Sequence, residues 1–172
     1  MKLQHLFFLI VMLLPMTSFA QEQLLVYEDT VNHFTIGVPQ NWRYGIPKDK
    51  STSFMAARKA KDSTDLVREN FSVNVLYNKP ADLNTAYQQF LSAIQRAPEF
   101  KIVEQGEKDI NKRHYKWLIE THKNQRTNET VYNYVYFANS GKSVLILTMV
   151  SSAQSFHKYR ELYDLVAKSL KY

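Results

Sequence analysis

Apolar and polar residues alternate most clearly early in the chain, over positions 34–38. Every second residue there is apolar: Phe34, Ile36 and Val38. This period of two predicts a β-strand with one buried face. Pro39 follows at once and predicts the end of the strand, because proline has no N–H to donate to a sheet. Trp42 comes shortly after, and we expect its large ring to fold back over the core as an architectural anchor.

Alternating or β-branched apolar residues predict further strands along the chain. These strands are predicted over positions 24–28, 53–58, 70–77, 101–108, 113–122, 130–138 and 143–150. The stretch 43–51 contains glycine, proline and lysines and predicts a loop. The strand over 143–150 is apolar on both faces, which predicts a central position covered from both sides. The late strands are joined by short connections, so we expect them to pair antiparallel.

Two stretches change to the helical period of 3.6 residues. The first predicted helix spans positions 83–97, with Asp82 as its N-cap and Pro98 just beyond its end. The second is capped by Ser155 and continues to about position 170, with Lys168 in the last turn, where a cation complements the helix dipole. The order of strands, helix, strands, helix predicts an α+β fold: a central antiparallel β-sheet with two main helices packed on it.

The N-terminus has the composition of an export signal. Lys2 precedes an unbroken apolar run over positions 6–14, and small residues stand at Ser18 and Ala20. A membrane anchor is the rival interpretation, but a spanning helix needs about 20 apolar residues. We therefore predict a signal peptide over 1–20 and a single domain over 21–172. The protein would be periplasmic or extracellular, with no stable membrane span after cleavage.

Composition excludes several classes of function. The 172-residue chain has no cysteine, which rules out disulfides, thiol catalysis, thiolate metal sites and lipidation at a cysteine. The formal net charge of +6 is spread along the chain rather than gathered in a basic arm, so we expect no nucleic-acid partner. The common catalytic signatures and phosphate-binding glycine loops are absent from the sequence. We accordingly predict a protein that is not an enzyme and carries no cofactor.

Histidine and glutamate occur together on the predicted strand over 113–122. His114, Glu120 and His122 fall on one face, and the last two are neighbours that offer a carboxylate and an imidazole to one divalent ion. In the alternative interpretation, these side chains line the solvent side of the sheet near a hairpin end. A pair of ligands without a third partner is a weak metal signal. We predict no metal site and keep metal-assisted hydrolysis only as a less favoured alternative.

Aromatic residues are concentrated on two strands that we expect to pair. The candidate binding residues are Tyr115, Trp117, Tyr132, Tyr134 and Tyr136. Such a surface suits a flat or apolar ligand or a partner protein. The alternative is that the tyrosines are half-buried beneath a helix with their hydroxyl groups at the rim, since aromatic residues are favoured on pleated, half-covered surfaces.

The order of elements and one early motif resemble a known superfamily. The motif is Phe34-x-Ile36-x-Val38-Pro39-x-x-Trp42. It is similar to the early strand and turn of the PsbP-like superfamily, which includes the PsbP protein of photosystem II, a Ran-binding nuclear import factor and exported bacterial proteins of the DcrB-like type. The resemblance implies an α/β/α sandwich and mostly non-enzymatic roles in binding or assembly. It transfers no partner-binding residue to this chain.

These observations lead to one functional prediction and two alternatives. We predict an exported, non-enzymatic domain that binds an envelope protein or assists assembly at the cell envelope. The first alternative is a carrier of a small apolar ligand held between sheet and helix. The second is the metal-assisted hydrolase that would use His114, Glu120 and His122.

Overall fold

The computed structural model describes residues 23–48, 52–77 and 82–172. The predicted signal peptide over 1–20 lies outside the described residues. The strands are β1 (Leu24–Asp29), β2 (Phe34–Pro39), β3 (Arg43–Gly45), β4 (Phe54–Ala57), β5 (Asn70–Leu76), β6 (Lys101–Ile110), β7 (Arg113–Lys123), β8 (Thr130–Asn139) and β9 (Val144–Ser152). The helices are α1 (Leu83–Ile94) and α2 (Phe156–Ser169).

Seven of these strands form the main sheet, in the order β3-β4-β5-β9-β8-β7-β6, with every neighbouring pair antiparallel. The predicted α+β class is confirmed, and β9 takes the central position that its two apolar faces predicted. Two details differ from the prediction. The short strand β3 forms within the stretch predicted as a loop, and β1 pairs only with β2 in a separate two-stranded sheet.

Helix α1 covers one face of the main sheet. Asp82 caps it as predicted, because its carboxylate accepts a hydrogen bond of 2.7 Å from the backbone N–H of Thr85. The helix then ends at Ile94, before the predicted end at position 97. It packs on an apolar cluster formed by Leu118, Val135, Phe137, Val144 and Ile146. Because adjacent strand residues point to opposite faces, the neighbours of these residues face the other layer.

Helix α2 and the β1–β2 hairpin together cover the opposite face. The hairpin reaches the end of the helix, where the backbone N–H of Gly37 donates to Ser169 Oγ at 2.7 Å. Thr35 also pairs with Lys171 through backbone hydrogen bonds of 2.8 and 2.9 Å. A Cβ atom at Gly37 would lie 2.7 Å from the side chain of Leu24 and 2.9 Å from Ser169 Oγ, so this close approach requires glycine. The main sheet therefore lies between two layers.

Trp42 lies in the core, as its position just after the predicted strand led us to expect. Only 9% of the residue is exposed, and its ring centroid is 6.0 Å from that of Phe71 and 6.5 Å from that of Tyr159. The turn that brings it there places Asn41 at a positive φ of 75° and bonds the N–H of Trp42 to the carbonyl of Pro39. Trp42 thus joins the short strand β3, the sheet and α2.

Candidate functional site

The five predicted binding residues all lie on the face of the sheet covered by α2, but the structure separates them. Tyr115, Tyr134 and Tyr136 are buried, whereas Trp117 and Tyr132 are partly exposed. Tyr132 stacks on Phe156 at the start of α2, with ring centroids 4.4 Å apart. Tyr115 contacts Tyr136 edge to face from the other side. Their role in binding stays a prediction. Trp117 lies at an accessible rim of the sheet, and its ring contacts lead inward to the buried Tyr134 and Tyr136.

Trp117 is held in place by an aromatic neighbour and by a glycine. Its ring lies 5.8 Å from that of Tyr134 in an edge-to-face arrangement, and Tyr134 in turn lies 4.8 Å from Tyr136. Gly106 is the cross-strand partner of Trp117 on the outer strand β6. A Cβ atom at Gly106 would lie 3.4 Å from the indole ring, so the indole lies closely across the edge strand. The three rings form a wall at the junction of β6, β7 and β8.

The ammonium group of Lys108 is surrounded by these three rings. Its Nζ atom lies 4.6 Å from the ring centroid of Tyr136, 5.4 Å from that of Trp117 and 5.6 Å from that of Tyr134. All three distances fall within the range of a cation–π interaction. Asp164 of α2 also lies beside the ammonium group, with Oδ1 3.4 Å from Nζ. We call Lys108, Trp117, Tyr134, Tyr136 and Asp164 the lysine cage.

Hydrogen bonds connect the polar atoms of the lysine cage. Lys108 Nζ donates to the hydroxyl of Tyr136 at 2.6 Å and to that of Tyr134 at 3.2 Å. Asp164 Oδ1 lies 2.8 Å from the Tyr136 hydroxyl and 3.1 Å from the Tyr134 hydroxyl. Burial raises the pKa of Tyr134 to about 12 and also raises the pKa of Tyr136. Both phenols therefore remain protonated at physiological pH and can donate to the carboxylate.

A second ion pair lies beside the lysine cage and joins the same two elements. Arg160 of α2 makes two hydrogen bonds to Glu104 of β6, with N–O distances of 2.8 and 3.1 Å. The hydrogen bonds from Arg160 lower the pKa of Glu104. Arg160 and Asp164 are four residues apart and so lie on the same side of α2. The rim therefore carries an aromatic wall and both signs of charge.

Sequence patterns did not indicate the charged members of this site. Lys108 and Asp164 are 56 positions apart, and no recognisable sequence motif links them. Asp164 follows Tyr163 directly on α2, so a helical projection places it beside the buried stripe rather than on the outer face. That border position is the one local signal that could have identified it.

The predicted pair of Glu120 and His122 is found, but as a buried cluster. The Glu120 side chain is fully buried on the α1 side of the sheet, with His122 Nδ1 3.1 Å from its carboxylate. Asn133, its cross-strand partner on β8, donates a hydrogen bond to the same carboxylate. Burial raises the pKa of Glu120, and the hydrogen bonds from His122 and Asn133 only partly oppose that effect.

His114 lies apart from that cluster. Its ring nitrogens are 3.3 Å from a carboxylate oxygen of Glu107 and 3.1 Å from one of Asp109, and about half of the His114 side chain is exposed. It lies eight positions before His122 on strand β7, a separation that exceeds the reach of one metal ion. Within the described residues, no group of three or more His, Asp or Glu side chains is placed to hold a metal.

A further polar cluster occupies the far end of the sheet. Arg58 bonds Glu69 and makes two hydrogen bonds to Asp65, at 2.8 and 2.9 Å. Hydrogen bonding by Arg58 lowers the pKa of Asp65 to about 2. Burial alone would raise the pKa of Glu69, but hydrogen bonds from Ser155 and Arg58 bring it below its ordinary value. The three ionised groups satisfy one another, which indicates a structural role in fixing the loop between β4 and β5.

In the ranges 23–48, 52–77 and 82–172, no helix is long and apolar enough to cross a membrane.

Comparison with known proteins identifies the fold. No protein-family model matches the sequence, and no curated protein matches it. Solved structures do match. The cyanobacterial PsbP (CyanoP) of Synechocystis sp. PCC 6803 aligns with a TM-score of 0.60 at 11% identity, over 90% of this chain and 95% of that chain.

Two further structures agree with this match. LpqN of Mycobacterium tuberculosis, which is involved in cell envelope biogenesis, has a TM-score of 0.59 at 10% identity, over 88% of this chain and 91% of its own. The Ran-binding protein Mog1p of Saccharomyces cerevisiae has a TM-score of 0.56 at 10% identity, over 87% of this chain and 95% of its own. Identities this low establish a shared fold and leave function open. The chain has the PsbP/Mog1-like fold that its early motif and order of elements predicted.

Proposed function

We propose that this protein is an exported, non-enzymatic binding or assembly domain of the cell envelope, and that it contacts its partner at the rim of the lysine cage. The observation that carries the proposal is the partly exposed Trp117, which lies beside Lys108 and Asp164, each with a side chain about one-third exposed. Tryptophan, tyrosine and arginine are the residues that most often dominate binding energy at protein interfaces. The rim combines all three types with balanced charge.

Structural neighbours support a role in binding. LpqN is involved in cell envelope biogenesis and Mog1p is a Ran-binding protein. The predicted signal peptide over 1–20 supports the placement of this chain at the envelope. Of the predicted aromatic residues, Trp117 is the one we expect to touch the partner, and Tyr134 and Tyr136 support it from the buried side. Tyr115 and Tyr132 contribute to the packing on either side.

Site-specific photo-cross-linking in living cells tests the binding surface. A photoreactive amino acid at Glu161, which is exposed on α2 next to Arg160 and three residues before Asp164, should give a discrete cross-linked product. The same amino acid at Gln88, on the outer side of α1, is the matched control and should not give that product. The Trp117→Ala variant should reduce the product while its thermal unfolding stays cooperative. Equal cross-linking from both positions, or full cross-linking in a folded Trp117→Ala variant, would contradict the proposal.

Export is tested separately from binding. Cell fractionation followed by mass spectrometry of the intact protein should find the chain in the envelope or the medium, beginning at Gln21. A cytoplasmic chain that still begins at Met1 would remove the envelope from the proposal while leaving the binding surface to be tested on its own.

A small-ligand carrier remains the second candidate, because one groove is partly apolar. It has a volume of about 530 Å³ and lies beside the turn between β1 and β2, with Val31 79% and Ile46 62% exposed along it. Native mass spectrometry of the freshly purified protein should show added mass if an apolar ligand is carried there. The mass of the protein alone, in preparations from several hosts, would contradict this alternative.

A further inference from the structure

We propose that the lysine cage is a recognition site for an alkylammonium group, that Lys108 occupies it in the free protein, and that a lysine side chain of the partner protein displaces Lys108 on binding. This inference rests on the proposed function, because it assigns chemistry to the same rim. Three aromatic ring centroids lie within 6 Å of one ammonium nitrogen, and two tyrosine hydroxyls and a carboxylate contact the same nitrogen. Those are the elements that proteins use to bind organic cations.

The walls of the cage are fixed independently of its occupant. Tyr134 and Tyr136 are only 2% and 0% exposed, and they belong to the core cluster beneath α2. Trp117 is positioned by its edge-to-face contact with Tyr134 and by the open backbone of Gly106. A rigid, preformed site loses little conformational entropy when a ligand replaces the occupant.

Lys108 itself is exchanged more easily than the walls. It lies on β6, the outer strand of the sheet, whose strand pairing is with β7, and its side chain is about one-third exposed. Its ammonium group donates to the hydroxyl of Tyr136 at 2.6 Å and to that of Tyr134 at 3.2 Å, and an incoming ammonium group can make the same hydrogen bonds in its place. A flexible four-carbon stem can move this ammonium into solvent without disturbing the strand.

The charge of the emptied cage selects a cation. When Lys108 moves out, Asp164 remains as a carboxylate facing the aromatic rings. The neighbouring Arg160 is already paired with Glu104 through two hydrogen bonds, so it does not neutralise Asp164. The hydroxyl oxygens of Tyr134 and Tyr136, which accept hydrogen bonds from Lys108, also face the vacated position. An anionic ligand therefore fits poorly, whereas a lysine ammonium from the partner restores the interactions that Lys108 made.

The experiment empties the cage and measures binding of a simple cation. The Lys108→Met variant keeps most of the aliphatic stem and removes the charge. Methylammonium chloride is the probe, because its N–H groups can donate to the Tyr134 and Tyr136 hydroxyls and to Asp164 as Lys108 does. The indole N–H signals in a ¹H–¹⁵N NMR spectrum are the readout. The chain has two tryptophans, so the Trp117 signal reports on the cage and the Trp42 signal is an internal control. Sodium chloride at equal ionic strength controls for the salt.

We expect the Trp117 signal of Lys108→Met to shift saturably while the Trp42 signal does not move. The apparent dissociation constant should be at least roughly tenfold lower than in the unsubstituted protein, where Lys108 competes. Adding Asp164→Asn should weaken the binding again. A lysine derivative blocked at its α-amino and carboxyl groups should bind as well, and the norleucine equivalent should not. If Lys108→Met does not fold, Lys108→Gln replaces it.

Two outcomes would overturn the inference: no saturable shift in a folded Lys108 variant, or the same affinity with and without Lys108. These outcomes are distinguishable from failure of the proposed function. Ammonium binding without a cross-linked partner would leave the cage assigned and refute the partner surface. Cross-linking at the rim without ammonium binding would support the partner surface and refute the cage as an ammonium site.

Discussion

Buried ionisable side chains make the stability of this fold depend on pH. Glu120 is fully buried, and its pKa is raised by that burial. A carboxyl group whose pKa is raised in the folded state stabilises the fold below its unfolded pKa, and that stabilisation is lost as the pH rises through the folded pKa. At neutral pH Glu120 therefore costs stability that a side chain without a titratable group would not.

We predict that Glu120→Gln raises the free energy of unfolding at neutral pH, by on the order of 1 kcal/mol. The glutamine oxygen can still accept the hydrogen bond from Asn133. The gain should shrink as the pH falls towards about 4, because the glutamate then becomes neutral as well. Urea unfolding across this range measures the effect, and Glu161→Gln on the exposed side of α2 is the matched control. A gain that does not change with pH would show that charge burial is not its cause.

Arg58 is expected to stabilise the fold by neutralising two carboxylates. Glu69 is only 4% exposed, so Arg58→Met would leave a buried charge without its partner. We predict a loss of roughly 3–5 kcal/mol at neutral pH. The exposed neighbour Lys59 is the matched control, and Lys59→Met should have almost no effect.

The pH dependence of the Arg58→Met variant follows from the lowered pKa values. The pKa of Asp65 is lowered to about 2, and that of Glu69 is also lowered. Carboxylates of this kind stabilise the fold above their unfolded pKa and lose that contribution as the pH falls through the folded pKa. The difference between the two proteins should therefore narrow from about pH 4 towards pH 2. A constant difference would indicate that lost packing of the Arg58 stem dominates.

Trp42 tests whether the residue that marks the fold also performs the function. Its ring is buried between Phe71 and Tyr159. We predict that Trp42→Ala costs roughly 3–5 kcal/mol of unfolding free energy, because it opens a large cavity. Tyr44→Ala, which removes a ring that is 52% exposed, should cost less. A stable Trp42→Ala variant that had lost only partner binding would reverse this assignment.

At the scale of elements, the decisive contact is that between the β1–β2 hairpin and α2. The hairpin makes no strand pairing with the main sheet, so its position depends on packing and on a few hydrogen bonds to the end of the helix. Gly37 lies at the closest point of approach.

We predict that Gly37→Ala destabilises the protein by roughly 1–3 kcal/mol, because the added methyl group pushes against Leu24 and Ser169. The amide of residue 37 should also exchange faster with solvent, since its hydrogen bond to Ser169 Oγ would lengthen. Gly45→Ala is the matched control, because a Cβ atom there meets no atom within 4 Å. Equal stability of the two variants would show that the hairpin can shift without cost.

The edge strand β6 and helix α2 meet at the lysine cage. The charged residues that join them lie at the border between the buried and the exposed sides of their elements, where hydrophobic periodicity gives no clear assignment. The Arg160–Glu104 pair is about 36–42% exposed, so it contributes little to stability by itself. Its role is to hold α2 against β6 beside the lysine cage. Trp117, Lys108 and Asp164 then share one accessible edge of the molecule.

At the scale of the whole molecule, the layers decide where a partner can bind. Helix α1 covers one face of the main sheet, while α2 and the hairpin cover the other. Both faces of the central strands are therefore occupied, and a partner can reach the described part of the sheet at its edges and ends. A protein of formal net charge +6 would meet most partners at such a site through local complementarity rather than long-range attraction.

Apart from the short strand β3, the sequence alone determined which segments became strands and helices, where α1 begins, and which side of most elements is apolar. These properties follow from periods of two and 3.6 residues, from an N-cap at Asp82 and from the strand-ending Pro39. They act over a few neighbouring residues, so a local pattern is enough to predict them.

Only the tertiary structure decided which apolar face was covered and by what. The alternation that placed Tyr134 and Tyr136 on one face was predicted. Cover by a helix was one of two alternatives for that face, and the structure shows that α2 provides it. Glu120 shares its face with polar His114 and is nevertheless fully buried. Lys108 and Asp164 meet because β6 is the edge strand and α2 returns across it. Strand order and layer packing depend on contacts between residues far apart in the chain, because they are determined by the total apolar area that the fold buries. No short pattern in the chain encodes them.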